Sequence, residues 1–303
     1  MLTFDSKNLI ENESVVAIGN FDGLHLGHQS VLKRARAKAG SRPLVALSFW
    51  PHPRFYFQKE THSFLLSTLE ERHALLSQFC THTLAIPFDG DFVKTTAQRF
   101  VNHFLIEDLK AKAVFVGRDF RFGNQRKGSI ETLIKMGEGI FETMPVDPIR
   151  DSNGEVISST RIRKNLKEGE IGIANQLLGR PYQLAGKVIH GEGKGTGLGF
   201  PTANLSLSPS RLIPGAGIYA TYVEVGRNRY KGATYIGTKP TYHTSKEVVV
   251  ETFLCDFEGD IYGDQMSLAF VKKVREDKKF SSMDSLKVQI GRDVESCRQV
   301  LEL

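Results

Sequence analysis

The apolar positions of this chain fall into two patterns. Up to Arg180, short apolar runs alternate with longer amphipathic stretches. Val15-Val16-Ala17-Ile18 has the length of one buried strand; Val31, Leu32, Ala35 and Ala39 then recur at helical spacing until Gly40 stops the pattern. Residues 44–49 read as a strand, 69–79 as a helix, 83–86 as a strand, 97–108 as a helix and 113–116 as a strand. Alternating strands and helices predict a parallel sheet covered on both faces, with ligand-binding turns at the carboxyl ends of strands.

Beyond Gly179-Arg180-Pro181-Tyr182, strand-like runs follow one another directly, at 184–190, 218–225, 230–236, 248–256 and 266–274. Gly226-Arg227-Asn228 and Glu258-Gly259-Asp260 are turn signals between them. This is the pattern of an antiparallel sheet or small barrel. Residues 281–303 read as one helix, with Ser281 and Asp284 as a capping box and Leu286, Ile290, Val294, Cys297 and Leu301 as its stripe. The expected domains are 1–183 and 184–303, with no internal repeat.

At 303 residues, 40% hydrophobic and 24% charged, the composition is that of a globular protein with room for two cores. No apolar run is long enough to span a bilayer, and Met1-Leu2-Thr3-Phe4-Asp5 lacks the basic start of a signal peptide, so no membrane role is expected. Cys80, Cys255 and Cys297 are scattered and odd in number, which suits free thiols in a reducing cytoplasm. The formal charge of +6, from 40 basic and 34 acidic residues, suits anionic nucleotides. It would also suit nucleic acid. However, the run Lys33-Arg34-Ala35-Arg36-Ala37-Lys38 reads as a solvated helix face and no binding module is visible, so no nucleic-acid partner is expected.

Gly19-Asn20-Phe21-Asp22-Gly23 joins the first strand to the first helix, and His25 and His28 follow at the helix start. Free amides and the helix dipole make such a turn an anion pocket, where two imidazoles can donate to phosphate oxygens. The spacing also fits two zinc ligands, though nothing nearby completes a set, and it fits a core helix with incidental histidines. In Val116-Gly117-Arg118-Asp119-Phe120-Arg121-Phe122-Gly123 a carboxylate lies between two glycines, which alone fits any turn. In Ile157-Ser158-Ser159-Thr160-Arg161-Ile162-Arg163 three hydroxyls precede a helix ending near Gly169. Such hydroxyls and the following amides bind phosphate, and arginines add charge; a well-capped surface helix fits equally.

Gly19-x-Phe21-Asp22-x-x-His25-x-Gly27-His28 resembles the nucleotidylyltransferase superfamily signature at every fixed position. Together with Ser48-Phe49-Trp50-Pro51-His52-Pro53, the Asp119 segment and the hydroxyl run at 158–160, in that order, it resembles the adenylyltransferase half of bacterial bifunctional riboflavin kinase/FAD synthetases. That family usually has Thr-Phe, and often an acidic residue, before Pro-His-Pro; here Ser48 and Trp50 take those places.

The stretch from His190 to Asn204 has glycine at five alternate positions, 191 to 199, yet fits neither G-x-G-x-x-G nor G-x-x-x-x-G-K-[ST]. A glycine flap in a barrel is the structural alternative. Its ending, Leu198-Gly199-Phe200-Pro201-Thr202-Ala203-Asn204, resembles the flavokinase signature, which implies that Thr202 and Asn204 hold magnesium and ATP phosphates. Oxygen side chains suit that ion. Of two basic residues common in the family's glycine loop, Lys194 remains and Thr196 replaces the other. Val250-Glu251-Thr252-x-x-x-Asp256-Phe257-x-Gly259-Asp260-x-Tyr262-Gly263 resembles the kinase strand bearing the catalytic glutamate, and Ile236-Gly237-Thr238-Lys239-Pro240-Thr241 a segment lining the same site. Val249, Glu251, Phe253 and Cys255 share one strand face, an unusual setting for a carboxylate unless it works as a base; an exposed edge glutamate is the alternative.

The resemblance covers nearly the whole chain. It implies an α/β protein: a Rossmann-like nucleotidylyltransferase domain with a parallel sheet, then an antiparallel β-barrel domain ending in a helix. It implies a cytoplasmic transferase, monomeric or weakly homo-oligomeric, that uses ATP and Mg2+ to make FMN from riboflavin and FAD from FMN. In the kinase half Glu251 would be the base, with Gly193, Lys194, Gly195, Gly199, Thr202 and Asn204 around the phosphates. In the other half His25, His28 and Arg161 would stabilise the transition state, with Gly19, Phe21, Asp22, Gly27, Asp119, Ser158, Ser159, Thr160 and Arg163 holding ATP. The alternative keeps one activity, the other half serving as a flavin- or nucleotide-binding module.

Overall fold

Strand β1 (Ser14–Ile18) is buried at all five positions, as a strand covered on both faces must be. Its side chains divide by parity: Val16 and Ile18 join one core, Val15 and Ala17 the other. The computed structural model describes residues 10, 12–58, 62–191, 197–239 and 247–302. The chain divides into two compact units, the first ending at Ser159 and the second beginning at Thr160.

In the first unit β1, β2 (Leu44–Trp50), β3 (His82–Pro87), β4 (Ala111–Gly117) and β5 (Glu142–Val146) form one parallel sheet in the order β3-β2-β1-β4-β5. From β1 the chain builds toward β2 and β3 on one side and returns to place β4 and β5 on the other. The order reverses between β1 and β4, where ligands of such sheets bind. Helix α1 (Leu26–Ala39) buries Leu32, Ala35 and Ala39 and stops at Gly40, as the periodicity predicts. Of these only Leu32 is large, and its burial contributes about 1.5–3 kcal/mol. Short helices α2 (Pro53–Gln58), α3 (Leu69–Leu76) and α5 (Ile130–Gly137) follow β2 and β4. The helix expected at 97–108 is α-helical only over α4 (Ala97–Arg99); from Phe100 to Asp108 it is a π-helix, which lets Phe100, Val101, Phe104 and Leu105 all face the core.

The second unit holds α6 (Ser159–Glu168, from its second residue), α7 (Ile171–Leu178) and a barrel of β6 (Tyr182–Ile189), β7 (Ala203–Ser206), β8 (Gly217–Val225), β9 (Asn228–Lys239), β10 (Glu247–Leu254) and β11 (Gln265–Arg275). The strands run antiparallel in the order β10-β7-β6-β11-β8-β9, closed by β9 on β10. Inside, the hydroxyls of Thr221, Thr234 and Thr252 form a chain at 2.8 and 3.0 Å, so the polar atoms buried there are satisfied. Helix α7 packs on β6 and β11: the Asn175 amide donates to the Phe270 carbonyl and accepts the Tyr182 N–H. The last helix, α8 (Met283–Val300), covers the outer face of the barrel with Val294, Cys297 and Leu301. Its cap is one residue later than the sequence suggested: Ser282 and Ser285 form the reciprocal box, not Ser281 and Asp284.

Candidate active sites

At the carboxyl end of β1 the chain turns through residues 19–24 into α1. Phe21 folds back at φ 50 and is fully buried. His25 caps α1: its Nδ1 accepts the His28 N–H at 3.3 Å, which leaves Nε2 as the ring's donor atom. The His25 and His28 rings stack with centroids 3.7 Å apart, and Phe21 meets His28 edge-on at 5.4 Å, behind Gly19. Gly27 is required by this packing, because a Cβ there would lie 2.9 Å from the His25 ring and 3.4 Å from the Ile157 carbonyl oxygen. The first turn of α1 carries no acidic residue, so its dipole favours an anion at this end.

Asp22 faces inward. Its carboxylate accepts the Leu66 N–H at 3.1 Å and the Ser67 N–H at 3.0 Å, accepts the Ser67 hydroxyl at 3.1 Å, and pairs with Arg72 Nη2 at 3.3 Å. The Asp22 carbonyl accepts the Ser159 hydroxyl at 3.1 Å, and the Gly23 N–H donates to Ser67 Oγ. The sequence reading grouped Asp22 with the phosphate-binding residues; its carboxylate oxygens bond to protein donors that fix the turn. Ser67 and Arg72 escaped that reading. The available signal was Arg72 itself, a cation four residues before Leu76 on the buried stripe of α3. The hydroxyl run does not simply precede α6: Ser158 does, whereas Ser159 and Thr160 form its first turn. Arg161 and the buried Arg163 follow on α6, in the second unit. Asp119 lies exposed in the loop after β4, its carboxylate over Gly117. Beside β1, the end of β2 is anchored by the Ser48 hydroxyl on the Leu84 carbonyl, and His52 Nδ1 accepts the Arg54 N–H at 3.2 Å. The Trp50 ring lies 5.3 Å from the Arg72 guanidinium carbon.

In the second unit, Asn204 of β7 and Tyr235 of β9 stand directly opposite Glu251 of β10, on either side. Thr202 lies two residues before Asn204. The Asn204 amide packs onto Gly191, where a Cβ would fall 2.1 Å from Nδ2, so the glycine-rich stretch starts against this row. Glu251 is half-buried on the outer face, whose other members Phe253 and Cys255 pack beneath α8; Val250, Thr252 and Leu254 fill the interior. Burial pushes the Tyr235 phenol up, and the Asp277 and Glu251 carboxylates add to this. Gly199 sits exposed in a turn at φ 85. Gly193, Lys194, Gly195 and Thr196 lie outside the described residues, as do Pro240 and Thr241. No cluster of three His, Cys, Asp or Glu able to hold a metal occurs among the described residues, and none of their helices is long and apolar enough to cross a membrane.

The FAD synthetase family profile matches residues 7–161 and the riboflavin kinase profile residues 178–301. The chain is 35% identical to the bifunctional riboflavin kinase/FMN adenylyltransferase of Buchnera aphidicola subsp. Schizaphis graminum, over 97% of this chain and 96% of that one. It is 35% identical to the protein of that name from Escherichia coli strain K12, over 95% and 93%. Among solved structures, a Streptococcus pneumoniae chain described as a macrolide-efflux protein superposes with a TM-score of 0.89 at 31% identity, over 98% of this chain and 99% of that one. With a nucleotidylyltransferase turn in its first unit, a glutamate–asparagine row in its second and full-length relatives of this kind, the chain belongs to the bifunctional riboflavin kinase/FMN adenylyltransferase family.

Proposed function

We propose that this chain phosphorylates riboflavin to FMN and then adenylylates FMN to FAD, each step at its own site. The observation that carries the reading is the Asn204–Glu251 register, which sets a hydrogen-bonding amide directly beside a candidate base at the start of the glycine-rich stretch. In the kinase step the terminal ribityl hydroxyl oxygen attacks the γ-phosphorus of ATP and ADP leaves. Glu251 accepts the hydroxyl proton as the new P–O bond forms. The Thr202 hydroxyl and the Asn204 amide oxygen are hard donors and fit magnesium, whose remaining ligands would be phosphate and water. When bound, the ion would offset the charge developing on the phosphates.

In the second step a phosphate oxygen of FMN attacks the α-phosphorus of ATP and pyrophosphate leaves. That nucleophile is already anionic, so no base is needed. His25, through Nε2, and His28 would stabilise the charge spread over the transferring group. Gly19, Phe21, Gly27, Asp119, Ser158 and Ser159 would surround ATP, and Asp22 would hold the turn in place. Buried, free Cys80, Cys255 and Cys297 fit a reducing compartment, in keeping with a cytoplasmic enzyme. Chromatography of products from riboflavin, ATP and magnesium tests the reading. FMN followed by FAD is expected, whereas one product alone would leave a single active half.

A further inference from the structure

Three segments of the first unit meet at one guanidinium. Arg72 pairs with Asp22, in the turn that carries His25 and His28. Through Asp22 it reaches the backbone of Leu66 and Ser67. Its guanidinium carbon lies 5.3 Å from the centre of the Trp50 ring, at the end of β2 and next to Pro51-His52-Pro53. Arg72 and Asp22 are each 1% exposed. Desolvation cancels much of the attraction in such a pair, so its main contribution is direction rather than stability. The mount is rigid: α3 begins at a reciprocal capping box between Thr68 and Glu71, one residue before Arg72. A tryptophan face suits a cation that has lost its water.

We propose that Arg72, seated on Trp50, is a positioning residue of adenylyl transfer that locks the His25–His28 turn to the Pro51-His52-Pro53 segment. The inference rests on the assignment of the two histidines to that step. Arg72 acts through Asp22 rather than on substrate; it sets where the imidazoles stand. A misplacement of about 1 Å costs on the order of a hundredfold in rate.

The test uses the full-length enzyme, with riboflavin phosphorylation in the same preparation as internal control. Arg72→Lys keeps the charge but loses the planar fork, and should lower kcat for FAD formation from FMN about ten- to a hundredfold, with KM for ATP nearly unchanged. Trp50→Leu should lower it by about tenfold, and Trp50→Phe, which keeps a ring face, should recover most of the rate. In a His28→Ala background Arg72→Lys should cost clearly less than it does alone, because one of the two imidazoles it aims is gone and only His25 remains. Unchanged FAD formation in folded Arg72→Lys and Trp50→Leu proteins, effects that multiply with His28→Ala, or equal loss of both activities with a lower melting temperature would each overturn the proposal. If Arg72→Lys does not fold, the Trp50 pair carries the test. His28→Ala with intact FAD formation would overturn the histidine assignment and the inference with it. An inert Arg72→Lys beside a crippled His28→Ala would overturn the inference alone.

Discussion

His28 belongs to the first unit and Glu251 to the second, and each is assigned to a different step. Glu251→Gln keeps shape and most packing but cannot take up the ribityl proton. Riboflavin phosphorylation should fall about a hundred- to ten-thousandfold, with FMN-to-FAD conversion retained. His28→Ala should do the reverse, lowering FAD formation about a hundred- to a thousandfold and sparing FMN formation. Steady-state rates for both steps on each variant, with melting curves as control, check this; near-normal phosphorylation by folded Glu251→Gln would remove the base assignment. The histidine pair was legible because its spacing and the flanking glycines are local in sequence. Arg72 was not, because its partners Asp22 and Trp50 are 50 and 22 residues away and a single arginine on a helix stripe carries no sign of what it meets. The partners of Asp22 were hidden for a related reason: pattern gives a residue's place in a turn, not the direction of its carboxylate.

The seam between α8 and the barrel is the element with a pH signature. Cys297 of α8 and Cys255, just after β10, lie in one apolar cluster. Burial pushes the Cys297 thiol up to about 12 from 9.0 and raises Cys255 as well. The unfolded chain releases the Cys297 proton near pH 9, while the folded chain keeps it. The seam's contribution is therefore complete below pH 9 and is lost as pH rises toward 12. Melting temperature should fall across that window, and Cys297→Ala should flatten the slope; an unchanged slope would show that the thiol does not titrate with unfolding. The apolar stripe of α8 and the buried face of α1 were legible as periodicity. Strand β7 was not, because Ala203-Asn204-Leu205-Ser206 is too short to show a period. The π-helical turn of Phe100–Asp108 was also hidden, since its pattern reads as an ordinary helix until Phe100, Val101, Phe104 and Leu105 are seen to share one core.

At the scale of the whole molecule the question is where the kinase can be cut free. The change of pattern at residue 183 leaves α7 outside the fragment 184–303, yet α7 buries Ile171, Leu177 and Leu178, packing on β6 and β11 within the second unit. We expect both 184–303 and 160–303 to fold and phosphorylate riboflavin, the longer one melting about 10 °C higher because it keeps this packing. Melting curves and kinase assays of the two fragments decide it: an insoluble shorter fragment beside an active longer one would move the boundary upstream. The barrel leaves no strand unpaired, but the parallel sheet has β3 and β5 as edges. Inside β5 stands Pro145, paired in register with Val116. Proline has no N–H to offer, so at that point the outer rim cannot template a further strand from another chain. A strand docking on β5 would meet a residue that cannot donate, so edge-to-edge stacking is disfavoured on that side.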